Sequence, residues 1–335
     1  MENHTNNVPL TAAEISSFWN SYQSATMTIC GLRYFLQHVR CEQTEALLNF
    51  ALGQSMKNKE LLEQFFHAEG HPVPQGFTEK DIDLNAPRLF SDKLYIYYLL
   101  HMSTIKLTTC NLAMVMSSRQ DIINFYNDNI DHLQELHFSS KKLAKEKGIF
   151  IPGPHIPQPD QIDFVKKQSF MAGWFGERRP LLGQEIASLV YNAKRNALGQ
   201  ALITGFSQVA KSKEVRKYFE RGRDISGKQM EVFASILNKE YITDSSLMLT
   251  SEVTDSTTAP FSDKCMMFIV TLLSASGIGQ YGTSMSTTSR HDLSVQYTRL
   301  IAEIAHYADD GADIMINHGW MEQPPMSADR KDLAE

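Results

Sequence analysis

Cysteine is scarce and scattered. Four residues, Cys30, Cys41, Cys110 and Cys265, share 335 positions with no C-x-x-C pair among them. That excludes a disulfide-stapled small fold and a zinc ribbon, and it suits reduced thiols used as small core residues. Positive charge is not in excess either: 32 Lys and Arg stand against 38 Asp and Glu, a net charge of -6. The broad basic face that grips a nucleic-acid backbone is therefore missing. The most basic stretch, KSKEVRKYFERGRD at 211–224, is interleaved with acids and reads as a solvated helix face. Long apolar runs are lacking too. The least polar one, 265–280, is shorter than the ~20 residues of a membrane helix and carries Thr271, Ser274 and Ser276, so no membrane span is expected. The N-terminal MENHTNNVPLTAAE shows no basic-then-apolar leader; no secretory signal and a cytoplasmic location are expected.

What the chain does contain is a copy of itself. FSDK occurs at 90–93 and again at 261–264, 171 residues later. The same offset carries Ser118-Arg119-x-Asp121 onto Ser289-Arg290-x-Asp292, Tyr126 onto Tyr297, Ile130 onto Ile301 and Gly148 onto Gly319. Nearer the N-terminus an offset of about 169 relates Tyr22 to Tyr191 and NKELLEQF (58–65) to GKQMEVFA (227–234). An ordered series at a nearly constant offset marks a tandem duplication.

Each copy reads as four long helices. Residues 11–39 place Ile15, Phe18, Trp19, Tyr22 and Ile29 at three-to-four spacing, and 42–70 do the same with Leu48, Ala51, Leu52, Leu62 and Phe66 before stopping at Gly70. The third helix starts at FSDK, with Ser91 as N-cap and Phe90 positioned to pack on Tyr95. The fourth starts at SRQD, where Ser118 reads as a cap, and ends at Gly148. The second copy repeats these signals near 182–210, 212–240, 262–286 and 289–318. Short turns make hairpins of helices 1–2 and 3–4, whereas some twenty non-helical residues, 71–90 and 242–261, join helices 2 and 3. Twenty extended residues reach ~65 Å, more than the ~40 Å length of such a helix. A single long crossover is the ferritin-like arrangement. The expected fold is all-α, a tandem pair of ferritin-like four-helix bundles. The first covers 1–155, a linker 156–180, and the second bundle with its tail 181–335.

Two motifs invite chemistry. GIGQYG at 277–282 has the G-x-G-x-x-G spacing of a dinucleotide-binding turn. It falls ~15 residues into a helix capped at Ser262, and its counterpart KLTTCN (106–111) has no glycine. A close helix–helix approach is expected there instead. Glu-x-x-His, the di-metal signature, occurs as EIAH at 303–306, with HLQE at 132–135 in the first copy. On a 100° wheel Glu303 lies ~110° from the apolar stripe and His306 nearly opposite it. No metal set is expected. If one ion of iron, manganese or zinc binds, its candidate ligands are the inward His101 and His137, with Glu63 or His67 at the border of helix 2. GERRPLLG (176–183) is expected to salt-bridge the two bundles.

Together Pro72, Pro74, Gly76 and Phe77, ERRPLLGQEI (177–186), FSDK and GWMEQPP (319–325) give a resemblance to a known family. The chain is similar, from about residue 10 to 333, to an uncharacterised family of duplicated ferritin-like proteins of endospore-forming bacilli, related to spore coat F-type proteins. The resemblance implies the fold and a sporulating host, and transfers no catalytic residue. The resulting expectation is a non-enzymatic structural or binding protein, spore- or stress-associated, without a cofactor. Its partner is a second copy, a spore protein or a small apolar ligand suited to 15 adaptable methionines. The alternative is a metal-dependent redox protein using a degenerate ferritin-like site in the first bundle.

Overall fold

A computed structural model describes residues 8–173, 178–243, 247–331 and 333. Eight α-helices account for most of them: α1 Ala12–His38, α2 Glu42–Ala68, α3 Asp92–Met116, α4 Gln120–Glu146, α5 Gly183–Val209, α6 Lys213–Lys239, α7 Asp263–Ser286 and α8 His291–Asn317. Among the described residues the only β pairing is an isolated antiparallel bridge between Phe90 and Val253. The protein is all-α, built of tandem helical bundles, with a long connection after the second helix of each copy.

Local sequence sets these boundaries. Thr11 and Glu14 form a reciprocal capping box at the start of α1. Ser91 and Ser262 each accept the N–H three residues on, from Leu94 at 3.3 Å and Cys265 at 3.1 Å. SRQD behaves differently. Ser118 does not cap α4; its N–H and hydroxyl both donate to Glu14 of α1. A tertiary carboxylate has replaced the local cap.

At their C-terminal ends α2, α4 and α8 close on left-handed glycines, Gly70, Gly148 and Gly319, with φ of 66°, 66° and 65°. α6 takes the same turn on Tyr241, φ 58°, where a Cβ is strained. Its side chain is 98% exposed, so no packing offsets that strain.

The helices gather into two compact units that interleave in sequence. Unit 1 comprises Met1–Asn85, Tyr95–Glu146 and Gly319–Glu335; unit 2 comprises Ala86–Leu94 and Lys147–His318. The core of unit 1 draws on all four of its helices: Phe18 and Tyr22 of α1, Leu62 and Phe66 of α2, Ala113 of α3, and Phe125 and Tyr126 of α4. Phe18 stacks on Phe65 at 4.8 Å and meets Phe125 edge-on at 5.9 Å. In unit 2, Leu189 and Ala193 of α5, Phe233 and Leu237 of α6, Tyr281 of α7, and Tyr297 and Leu300 of α8 form the core. The Ala86–Leu94 segment is pinned into this unit by Thr254 N–H to Leu89 O at 2.9 Å and Ser91 N–H to Glu252 O at 3.0 Å.

α6 and α8 lock by a reciprocal device. Tyr218 and Tyr307 stack 4.2 Å apart with rings 4° from parallel. Each hydroxyl donates to the other's backbone carbonyl, at 3.1 and 3.2 Å. Four residues on from each tyrosine stands a glycine, and a Cβ on Gly222 or Gly311 would sit 2.1 or 2.2 Å from the opposite hydroxyl. The approach at GIGQYG is less tight, and the expected close contact is confined to Gly277. The segment is interior α7, which removes the dinucleotide turn. Gly279 and Gly282 face open space, and only Gly277 has a near neighbour, Ile304 Cδ1 at 3.2 Å.

α7 is also the one helix among those described that is long and apolar enough to cross a membrane by composition, with mean hydropathy 1.3 over its best window. Cys265, Met266, Met267, Val270 and Tyr281 of this helix are buried within the protein.

Two substitutions separate these backbone effects. Gly222→Ala should lower the unfolding free energy by about 2–3 kcal/mol, because the stacked Tyr307 cannot retreat. Tyr241→Gly should raise it by about 1 kcal/mol by releasing the left-handed strain. Urea denaturation followed by circular dichroism reads both. A neutral Gly222→Ala would show that the two tyrosines do not fix the crossing.

Candidate functional site

The most heavily invested polar site occurs twice, once in each unit. In unit 1, Glu14 Oε1 accepts the N–H groups of Ser118 and Arg119 at 2.9 and 3.0 Å, while Oε2 accepts Thr11 N–H at 2.8 Å. Arg119, 7% exposed, reaches Glu69 at 2.5 Å and grips Asp121 through Nε and Nη2 at 3.2 and 2.7 Å. In unit 2, Glu185 Oε1 accepts the N–H groups of Ser289 and Arg290, each at 3.2 Å. Arg290, 2% exposed, reaches Glu240 at 2.8 Å and grips Asp292 at 3.0 and 2.7 Å. Every partner lies 171 residues from its counterpart.

The electrostatics follow from that geometry. Burial works to raise the Glu14 carboxyl, but hydrogen bonds from Thr11, Arg119 and Ser118 outweigh it and hold the group at about 2. The Arg119 guanidinium lowers Asp121. Glu185 and Asp292 are lowered against the pull of burial by Arg179 and Arg290 respectively. These are permanent ions at neutral pH.

The motifs behind the family resemblance are engaged in the same kind of work. Within ERRPLLGQEI, Arg179 pairs with Glu185 through two bonds of 2.8 and 2.9 Å and lies over the Phe170 ring. It thus serves its own unit, in place of the salt bridge across two bundles expected of GERRPLLG (176–183), of which Gly176 and Glu177 lie outside the described residues. The second FSDK uses Asp263 to accept Lys211 and Ser212 N–H, at 3.0 and 2.8 Å, just ahead of α6. The first uses Ser91 and Lys93 to hold Glu252. In GWMEQPP, the Glu322 carboxylate accepts Gln75 and Gly76 N–H, both at 2.8 Å, tying two of the motifs together within unit 1.

The candidate metal ligands do not converge. His137 Nδ1 lies 3.1 Å from the Ser103 hydroxyl, and burial, then the nearby Lys141, lowers its titration. His101 is partly buried on α3, and His67 is exposed on α2. Glu63 accepts Lys59 Nζ at 2.7 Å and Tyr22 OH at 2.9 Å, which holds it ionised although burial opposes this. Among the described residues no group of three or more His, Cys, Asp or Glu is placed to hold a metal ion. The helical wheel put His101 and His137 on one inward side; the tertiary structure spends His137 on a hydroxyl and Glu63 on an amine and a phenol.

Unit 2 carries a polar chain that the wheel missed. Asn196 donates to Tyr281 OH at 2.7 Å, Tyr281 donates to Gln229 Oε1 at 2.7 Å, and Gln229 Nε2 donates to Glu303 at 2.9 Å. The links run from α5 through α7 and α6 to α8. Glu303 of EIAH therefore ends a hydrogen-bond chain, paired also with Lys228, while His306 is exposed. Asparagine and glutamine among apolar neighbours on α5 and α6 were the available signal. A groove of ≈ 460 Å³ between α6 and α8 carries acids and bases alike, with Arg221 paired to Asp310 and His318 to Glu214. It presents no field of one sign.

The family model described as "Protein of unknown function (DUF3231)" matches residues 1–162 and again 169–333. The chain belongs to the DUF3231 family. Its two matches are the two copies that carry the Glu–Arg–Asp network, so each DUF3231 repeat contributes one. Among curated proteins none matches this DUF3231 chain. A solved structure from Bacillus halodurans, described as a "putative spore coat protein", is similar at 22% identity. It covers 46% of this chain and 100% of its own, with a TM-score of 0.42.

The depressed Glu14 gives a pH prediction with a definite sign. A lowered carboxylate stabilises the fold above its unfolded value near 4.5 and loses that contribution as pH falls toward about 2. Glu14→Gln should therefore be less stable than wild type at pH 7, by about 2 kcal/mol. The gap should close between pH 4.5 and 2. A gap independent of pH, measured by urea titration at each pH, would show that packing rather than charge is lost.

Proposed function

We propose that this DUF3231 protein is non-enzymatic, a structural or binding protein of two ferritin-like bundles, associated with the spore or with stress in a cytoplasmic setting. One observation carries the reading. The charged residues of the Glu–Arg–Asp network repeated at the 171-residue offset, together with carboxylates of the family motifs, are engaged in holding backbone N–H groups and in closed ion pairs. A catalytic pair of carboxyl groups needs one member raised so that it holds a proton. Glu14, Glu63, Asp121, Glu185, Glu252, Asp292 and Glu303 are all displaced downward. Such groups keep a shape. The spore association rests on the sequence resemblance, through FSDK and GWMEQPP.

The test has two parts. Full-length protein purified without chelators is assayed by elemental analysis, with far less than one metal ion per chain expected. Stoichiometric iron, manganese or zinc that disappears in His101→Ala and His137→Ala would establish the redox alternative instead. Immunoblots of purified spores against vegetative cells of the host should show enrichment in spores, and its absence would remove the spore assignment.

A further inference from the structure

Most buried cations of this protein are answered by carboxylates. Arg119 and Arg290 have two each, and Arg179 has Glu185. Arg195, in the middle of α5 and half-buried, has none. Its Nη2 donates to the Ser276 hydroxyl of α7 at 3.1 Å, and its guanidinium lies 6.0 Å from the Tyr191 ring centre. Its Nε is sealed from solvent and has no hydrogen-bond partner. No carboxylate is within ion-pair distance of it among the described residues.

A lysine in such a place has a way out. Lys106 of unit 1 reaches only a threonine hydroxyl, Thr28 at 3.0 Å, and burial lowers its amine to about 8. It becomes neutral readily. Arginine has no such recourse, because its guanidinium stays protonated at any physiological pH. One hydroxyl and one aromatic face return less than desolvation removes, and the unfilled Nε adds its own penalty. A missing negative charge is the direct remedy.

Room for it lies alongside. Ser276 sits in SASGIG (274–279), and a Cβ placed on Gly279, one turn along the same face, would meet nothing within 4 Å. Ala275 and Gly279 are exposed, so that face is open to solvent. The first copy has no equivalent: α1 (12–38) and α5 (183–209) stand 171 residues apart at both ends, not the 169 read from Tyr22 and Tyr191, and at that offset Ser24 and Ile105 stand where Arg195 and Ser276 do in the second.

We infer that unit 2 holds a site for a small oxyanion, a phosphate or a carboxylate, built on Arg195 and Ser276. The two terminal nitrogens of the guanidinium present a pair of N–H donors to two oxygens of one anion. The Ser276 hydroxyl supplies a further donor, and Gly279 leaves the approach clear. This assignment is independent of the non-enzymatic reading: a scaffold and an enzyme could each hold an anion here.

The full-length protein is titrated at constant ionic strength with inorganic phosphate, with acetate and with chloride, and its melting temperature is followed. Phosphate or acetate should raise Tm saturably, by roughly 5 °C at a hundredfold excess over Kd. Whichever of the two saturates at lower concentration names the oxyanion. Arg195→Gln should abolish the shift, and Ser276→Ala should weaken the apparent affinity several-fold. If Arg195→Gln does not fold, side-chain NMR of ¹⁵N-arginine-labelled wild type replaces it, and one Nε–H signal should move saturably with the oxyanion. Equal saturation by chloride, a shift retained in Arg195→Gln, or an Nε–H set unmoved by phosphate and acetate would each overturn the site.

Discussion

Everything else in each unit hangs on one buried arginine that ties four places in the chain together. Arg119 draws the end of α2, through Glu69, toward the start of α4, through Asp121, while Glu14 of α1 collects the backbone N–H groups of the α3–α4 turn. Arg290 and Glu185 do the same in unit 2. Breaking a buried pair by removing one partner strands an uncompensated charge, so such a network tolerates little variation in geometry. It fixes which helix ends meet at one end of the bundle. The apolar stripes, which can slide, do not.

The two copies also differ in the middle of the bundle. Unit 1 packs aromatic rings around Phe18. Unit 2 threads a hydrogen-bond chain from Asn196 through Tyr281 and Gln229 to Glu303, and crosses α6 with α8 on two stacked tyrosines over two glycines. A polar chain stabilises only when each member is satisfied, and this one gives its tyrosine both a donor and an acceptor. The halves thus share a frame and diverge in their interiors. Arg195, unanswered in the second half alone, belongs to that divergence.

Much of the fold was legible from periodicity and punctuation. Helix positions, the long connections and the closing glycines at 70, 148 and 319 follow from local rules, because capping and left-handed turns are decided within a few residues. The site was legible only in part. The recurrence of Ser-Arg-x-Asp marked an important place, but local reasoning assigned its serine to a cap that Glu14, 104 residues away, in fact supplies. GIGQYG misled for a related reason. Glycine on a helix is compatible both with a close neighbour and with none, and the choice belongs to the neighbour.

The amino-acid sequence by itself determined that this chain is a duplicated all-helical protein, since hydrophobic period, caps and repeat offset are properties of nearby residues. Which compact unit the Ala86–Leu94 segment and the Gly319–Glu335 tail join was decided only by the tertiary structure. The same holds for the carboxylates that hold Arg119 and Arg290 and for Arg195, which has no carboxylate partner. Ion pairs and hydrogen bonds between residues fifty to two hundred and fifty positions apart leave no periodic trace, and their energies depend on burial that exists only once the helices have packed.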